Sequence, residues 1–245
     1  MEKALQNIKR LLGEKVALLW RSRLERIQQL PGASRKFKQI ATAPDKEQLD
    51  NYLAEIRYAL IFTGLGFQIE VEPLGKKGPD FKISRDNKSA FLEVTRLLTI
   101  HLGPPLISLS DKEFLDDTFL LSEYGNLERD IRKTCDKIAC KFSQVGDAES
   151  IIAIWNDEGD LDDFEVEQAP YSLREEYSQS YSIPSGLSFV LYGSDWIRSQ
   201  GHKQLYCFPI RTPLEPHQET WKGELEHSRV DELIQRALQR GKSTS

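Results

Sequence analysis

The 245-residue chain is predicted to fold as an α/β protein, an αβββαβ core on a mixed central sheet with an N-terminal helical extension and C-terminal strands and helix. Three observations carry that prediction. Apolar residues recur at helical spacing over 2–30, 46–63 and 122–145. Two alternating runs, Phe81/Ile83 and Leu92/Val94, flank the polar turn Ser84-Arg85-Asp86-Asn87-Lys88-Ser89, which is a hairpin signal. Ile151-Ile-Ala-Ile-Trp155 is a short continuous apolar run, the pattern of a strand covered on both faces.

Taken in order, Leu5, Ile8, Leu12, Val16, Leu19, Ile27 and Leu30 mark an amphipathic helix or helix pair that Pro31-Gly32 ends. Residues 33–46 read as a connector, with Pro44-Asp45 ahead of the next helix. That helix, 46–63, shows an apolar face of Leu49, Leu53, Ile56 and Leu60 with Glu55 on its flank, and Gly64-Leu65-Gly66 stops it. Phe67 to Pro73 alternates as a strand with Phe67, Ile69 and Val71 inward. The hairpin follows, and 97–121 is expected to be loop with a short helix at most. The helix over 122–145 carries Leu127, Ile131, Ile138, Phe142 and Val145 on one face. Strands are expected at 151–155, 188–192 and 204–208, and a closing helix at 224–240. The domains expected are a basic helical extension over 1–44, a core over 45–215 and a helical tail over 216–245 packed on it.

Composition bounds the function class. With 39% hydrophobic and 29% charged residues the chain is an ordinary soluble globular protein that can bury a full core. Three scattered cysteines make neither a disulfide framework nor a zinc site, and no apolar run reaches the length of a membrane span. The expectation is a cytoplasmic protein with no membrane partner. Eleven Lys/Arg against four acidic residues put +7 on residues 1–46, which leaves −12 of the total −5 on the remainder. A basic arm of this kind attracts polyanions, or else is a solvated helix face. Its candidate nucleic-acid contacts are Arg21, Arg23, Arg35, Lys36 and Lys38, joined by Lys77, Lys82 and Arg96 around the hairpin; Lys76 lies there too. Between Asp147 and Glu176 eleven acidic residues face only Arg174. The glycine and carboxylates there fall out of EF-hand register, so a solvated loop is expected.

The chemistry centres on the hairpin. A symmetric turn at Asp86-Asn87 pairs 84 with 89 and 83 with 90, which sets Asp80 across from Glu93. Opposed like charges destabilise a strand pair, so a cation is expected between them. Asp80 is either a ligand or a turn residue after Pro79, and Glu55 either a ligand or a solvated flank. Glu93 interrupts an apolar strand, where an unpaired carboxylate is costly. Helix, strand, hairpin, helix, strand is an order that brings Glu55, Asp80 and Glu93 into one neighbourhood. Three hard oxygen donors suit Mg²⁺ or Mn²⁺, the cofactors of phosphodiester hydrolysis.

Pro79-Asp80, twelve intervening residues and Glu93-Val94-Thr95, preceded by a helix bearing Glu55, resemble the PD-(D/E)XK nuclease superfamily over residues 46 to about 156. The resemblance implies a restriction-endonuclease-like fold and a metal-dependent endonuclease whose substrate is DNA, with RNA as the alternative and a homodimer as a candidate assembly. It implies that Asp80 and Glu93 hold the catalytic ion with the carbonyl of Val94, and that Glu55 joins the metal shell. The motif's lysine is replaced by Thr95, which carries no positive charge. The row Thr134, Lys137, Lys141 and Gln144 on the 122–145 helix offers a substitute, as relocated lysines do elsewhere in the superfamily. Lys141 lies about 60° from Ile138 on the helical wheel and Lys137 about 100°, so Lys141 is the better aimed. The alternative is a nuclease-like module that binds nucleic acid or a protein without cutting, since Thr95 and the acidic 147–176 segment both oppose catalysis on a polyanion. His101, His202, His217 and His227 have no catalytic or zinc spacing.

Overall fold

The computed structural model describes residues 1–75, 78–97, 127–145, 148–156, 163–177, 179–194 and 206–209. Seven helices and six strands are described: α1 (Glu2–Leu12), α2 (Glu14–Ile27), α3 (Ala33–Thr42), α4 (Lys46–Gly64), β1 (Gln68–Val71), β2 (Phe81–Arg85), β3 (Lys88–Leu97), α5 (Leu127–Ala139), α6 (Phe142–Val145), β4 (Ser150–Asn156), α7 (Asp163–Arg174), β5 (Leu187–Ser194) and β6 (Tyr206–Pro209). The strands form one mixed sheet in the order β1-β2-β3-β4-β5-β6. β1, β2 and β3 are antiparallel neighbours, β3-β4 and β4-β5 are parallel, and β5-β6 is antiparallel. The chain is thus α/β, and α4-β1-β2-β3-α5-β4 runs in the expected order. No helix among the described residues is long and apolar enough to cross a membrane.

The hairpin has the register its turn dictates. Ile83 pairs with Ala90, Ser84 with Ser89 and Arg85 with Lys88. Asp86 and Asn87 sit at φ 50° and 61°. Two positive-φ residues are the signature of a type I′ turn, whose twist matches that of the flanking strands.

Alternate residues of β3 and β4 serve opposite sides of the sheet. Leu92, Val94, Ile151, Ala153 and Trp155 pack with Ala54, Tyr58, Ala59 and Phe62 of α4. Leu97, Ile152 and Ile154 pack with Cys135 and Ile138 of α5 and Ala169 and Leu173 of α7. β4 is buried at every position, as its continuous apolar run predicts. α4 is buried on two sides, because Leu49, Leu53 and Ile56 close a third core with α1–α3. Each such fully buried aliphatic or aromatic side chain contributes about 1.5–3 kcal/mol. The Arg57 guanidinium lies 5.3 Å from the Trp20 ring and 4.9 Å from the Trp155 ring, linking α2 through α4 to β4.

Several expectations are corrected. Gly13, at φ 94°, divides the first helical run into α1 and α2. That break shifts the helical phase, so Leu19 is 67% exposed while Ala17, Trp20, Leu24 and Ile27 are buried. Residues 33–46 are mostly helix, since Ala33, Phe37 and Ile40 recur at helical spacing beneath a basic exterior. The 122–145 helix breaks at Cys140-Lys141, where the Lys141 N–H turns back to Ile138 O at 3.0 Å. The acidic 147–176 segment is not wholly loop, because 163–174 form α7. Leu97, the first residue of the loop expected over 97–121, instead ends β3. The rest of that loop, the closing helix at 224–240 and the tail domain at 216–245 lie outside the described residues, as does Lys77.

Candidate active site at the open end of the hairpin

β2 and β3 part company after the Phe81–Leu92 pair, and the next step of the register brings Asp80 to Glu93. The Asp80 N–H donates to Glu93 Oε2 at 3.3 Å, and the Val94 N–H donates to Asp80 Oδ2 at 2.9 Å. The two carboxylates are therefore held together by main-chain donors. The N–H and C=O of one extended residue face the same edge of its strand. The Val94 carbonyl accordingly opens toward the same place as its N–H. On the other flank the Glu72 N–H donates to Asp80 O at 2.7 Å, so the end of β1 closes over the same point.

Two lysines complete the cluster. Lys141 Nζ lies 2.7 Å from Glu93 Oε1, reaching it from the α5–α6 junction. Lys36, on α3, is 1% exposed. Its Nζ is bonded to Glu55 and lies 3.6 Å from Glu72 Oε1 and 3.8 Å from Asp80 Oδ1. The rings of Tyr52 and Phe81 flank it at 5.6 and 5.9 Å. Gln39 donates to Glu72 from the next turn of α3. Gly32 makes this approach possible: a Cβ there would stand 2.4 Å from Val71 O, and its φ is 82°. Val71 N–H in turn donates to Pro31 O at 2.9 Å, docking the start of α3 on β1.

Four carboxylates thus face two ammonium groups, an excess of two negative charges when all are ionised. The acid equilibria register that excess. Burial, then the Asp80 charge, pushes Glu55 up to about 8 although Lys36 pulls the other way. Burial and Asp80 likewise raise Glu93 to about 7, opposed by Lys141. Burial alone would lower both ammonium groups, yet Glu55, Asp80 and Glu72 hold Lys36 above its ordinary range and Glu93 does so for Lys141.

The structure brings together Asp80, Glu93, Val94, Glu55 and Lys141. Lys137 is half-buried on α5 and, among the described residues, makes no ion pair to the cluster. Thr95, the motif position without its lysine, is buried on the Glu93 side of β3. Two proposed nucleic-acid contacts are corrected. Lys36 is inside the site, and Arg96 is 5% exposed, donating to Glu47 O and Asn51 Oδ1 at 3.2 Å each. Both carry charge that pairs within the fold rather than with a polyanion. Lys38 is exposed, Arg21 is exposed and pairs with Glu2 at 3.4 Å, and the Arg23 guanidinium stacks 4.8 Å from Trp20. Arg35 donates to Glu72 O at 3.0 Å, and half-buried Lys82 stands opposite Glu70 in the β1–β2 register.

Sequence reasoning missed Glu72 altogether and gave Lys36 a surface role in place of its position in the cluster. Lys36 had a signal, since it falls between Ala33 and Ile40 on the apolar face of α3. Glu72 had none: it ends an alternating strand and turns inward through a positive φ of 47°. Glu55 and Glu72 close on Lys36 rather than on a common point with Glu93, and among the described residues no three His, Cys, Asp or Glu side chains stand in metal-coordinating geometry. The donor chemistry nonetheless suits one hard divalent ion at Asp80 and Glu93, because the oxygens are adjacent and the charge shortfall is two. Comparison with family models, with curated proteins and with solved structures finds no match.

Proposed function

We propose that the chain is a metal-dependent nuclease that hydrolyses phosphodiester bonds of DNA, built on the restriction-endonuclease-like fold of the PD-(D/E)XK superfamily. The observation that carries this reading is the meeting of Asp80, Glu93 and Lys141 at the open end of the hairpin. The order α4-β1-β2-β3-α5-β4 supports the finer fold. Asp80, Glu93 and the Val94 carbonyl are the residues that would hold Mg²⁺ or Mn²⁺. Such an ion, when bound, polarises a phosphoryl oxygen and brings the pKa of a bound water toward neutrality.

The protein's own groups do the rest. The Val94 N–H fixes Asp80, and the Asp80 N–H fixes Glu93, so neither carboxylate must be ordered when substrate arrives. Lys141 has three donors, and its engagement with Glu93 leaves donors for a scissile phosphate, supplying the positive charge that Thr95 lacks. Plasmid nicking and oligonucleotide cleavage with Mg²⁺ or Mn²⁺ test the proposal. Asp80→Ala is expected to lose at least about 100-fold in rate. Equal rates for wild type and Asp80→Ala would refute catalysis at this site.

One observation favours a second reading, a nuclease-like module that binds nucleic acid or a protein partner without cutting: the carboxylates already have ammonium partners in Lys36 and Lys141. Salt-dependent DNA binding with no turnover under either metal is the result that would select it.

A further inference from the structure

Lys36 comes from α3, outside the six-element core that carries the motif. It is nevertheless 1% exposed, as enclosed as Glu93. Three carboxylates surround its ammonium: Glu55 by direct bond, Glu72 at 3.6 Å and Asp80 at 3.8 Å. α3 cannot easily withdraw it. Phe37 and Ile40 are anchored in the core shared with α4, and Gly32 lets the helix start in contact with the Val71 carbonyl.

Asp80 connects the two halves of the cluster. Its Oδ1 faces Lys36, while its N–H and Oδ2 tie it to Glu93 and Val94. A carboxylate that touches two neighbouring cations is what a two-metal hydrolase uses to hold ions about 3.5–4 Å apart. Here Asp80 Oδ1 faces an ammonium, Lys36 Nζ at 3.8 Å. Resting on the metal-dependent reading above, we propose that Lys36 is a built-in cation occupying the second cation position of the cluster, so that the site takes one divalent ion at Asp80 and Glu93 and not two. Charge balance agrees: four carboxylates are neutralised by Lys36, Lys141 and a single divalent ion. The N-terminal helices are then part of the reaction centre, and Lys36 acts as a positioning residue that sets metal stoichiometry.

The test is Mn²⁺ binding to the full chain by calorimetry, with electron paramagnetic resonance of the bound ion. Wild type is expected to bind one Mn²⁺ with an uncoupled spectrum. Lys36→Met, once shown to be folded by circular dichroism, is expected to bind a second Mn²⁺ with a spin-coupled signal, and to gain more thermal stability from Mn²⁺ than wild type does. Two ions in wild type overturn the inference whatever the variant does. One ion in both proteins at equal affinity also overturns it, while leaving the single-metal reading intact. No binding to either protein overturns the metal reading itself. Should Lys36→Met not fold, the double variant Lys36→Met/Glu55→Gln removes the directly bonded carboxylate as well. Its remaining site at Asp80 and Glu93 is expected to bind Mn²⁺ about tenfold more tightly, because Asp80 no longer shares its charge with an ammonium; unchanged affinity refutes the role of Lys36.

Discussion

Replacing Lys141 by methionine removes the ammonium 2.7 Å from Glu93 Oε1 and keeps most of the apolar stem. Glu93 is 1% exposed, so water cannot take over the lost partner. With Lys141 in place its acid equilibrium lies at about 7, already raised by burial and Asp80. An opposite charge at this range shifts a carboxylic acid equilibrium by roughly ten- to a thousandfold, so its removal cuts the ionised fraction of Glu93 near pH 7.5 from about three quarters to between about a quarter and less than a hundredth. Since the ion needs the carboxylate form, Mn²⁺ affinity at that pH should fall about 3- to 200-fold and recover as pH is raised. Cleavage should fall further, by about 10²–10³ at saturating metal, because the charge proposed to face the phosphate is gone. Calorimetric Mn²⁺ titration at several pH values, paired with plasmid nicking, checks both numbers. A Lys141→Met protein that binds Mn²⁺ with wild-type affinity and pH dependence, and nicks at the wild-type rate, would refute the reasoning. Thr95→Lys in the Lys141→Met background returns a lysine to the Glu93 side of β3 and should restore part of the rate.

Two further outcomes follow from the buried charges. Arg96→Met should lower stability in urea by about 2–4 kcal/mol, because it leaves Asp50 and the Glu47 and Asn51 acceptors without their buried partner, yet it should leave the salt dependence of DNA binding unchanged; a reduced salt slope would instead return Arg96 to the nucleic-acid face. In EDTA, Glu55 and Glu93, with folded values of about 8 and 7, bind protons more tightly folded than unfolded, so their contribution to stability is full below the unfolded value near 4.5 and is lost as pH rises through 7 and 8. Thermal melts should therefore show Tm falling between pH 5.5 and 8.5, with a shallower fall in Glu55→Gln; a Tm that climbs over this range in both proteins sinks the assignment.

What the sequence made legible depended on whether local chemistry or distant packing decided the outcome. The hairpin register is local, since Asp86-Asn87 tolerate positive φ and so fix which residues pair, down to Asp80 and Glu93. β4 is legible because a strand buried on both faces needs an unbroken apolar run. Lys141 lies where a helical wheel aims it even though the helix ends just before it, because three residues span Ile138 to Lys141 in either geometry. The opposite case is α3: its Arg35, Lys36 and Lys38 hide an apolar stripe of Ala33, Phe37 and Ile40, and Lys36 reads as a solvated charge because its three carboxylates are 19 to 44 residues away in the chain. Tyr58 and Phe62, the second buried face of α4, were missed for the same reason. A helix wedged between two layers shows no single stripe, and only the fold reveals that Tyr58 reaches Ile154 O at 2.6 Å across the sheet.

The charge asymmetry along the chain takes a different meaning once α3 is placed. A +7 segment beside a −12 remainder suggests an arm that reaches out to a polyanion. One of its cations instead turns inward, and Arg35 holds the Glu72 carbonyl. The reason lies in the hairpin: bringing Asp80 against Glu93, with Glu55 and Glu72 beside them, concentrates four carboxylates where burial makes unneutralised charge costly. The αβββαβ elements contribute one ammonium to that cluster among the described residues, Lys141, and the other comes from the N-terminal helices. α1–α3 are bound to α4 by a shared apolar core and by Trp20 against Arg57, so the packing of the N-terminal helices holds the counter-charge at the site. A substitution that loosens α3, such as a side chain at Gly32, therefore acts on Glu55, Glu72 and Asp80 through the ammonium that α3 carries.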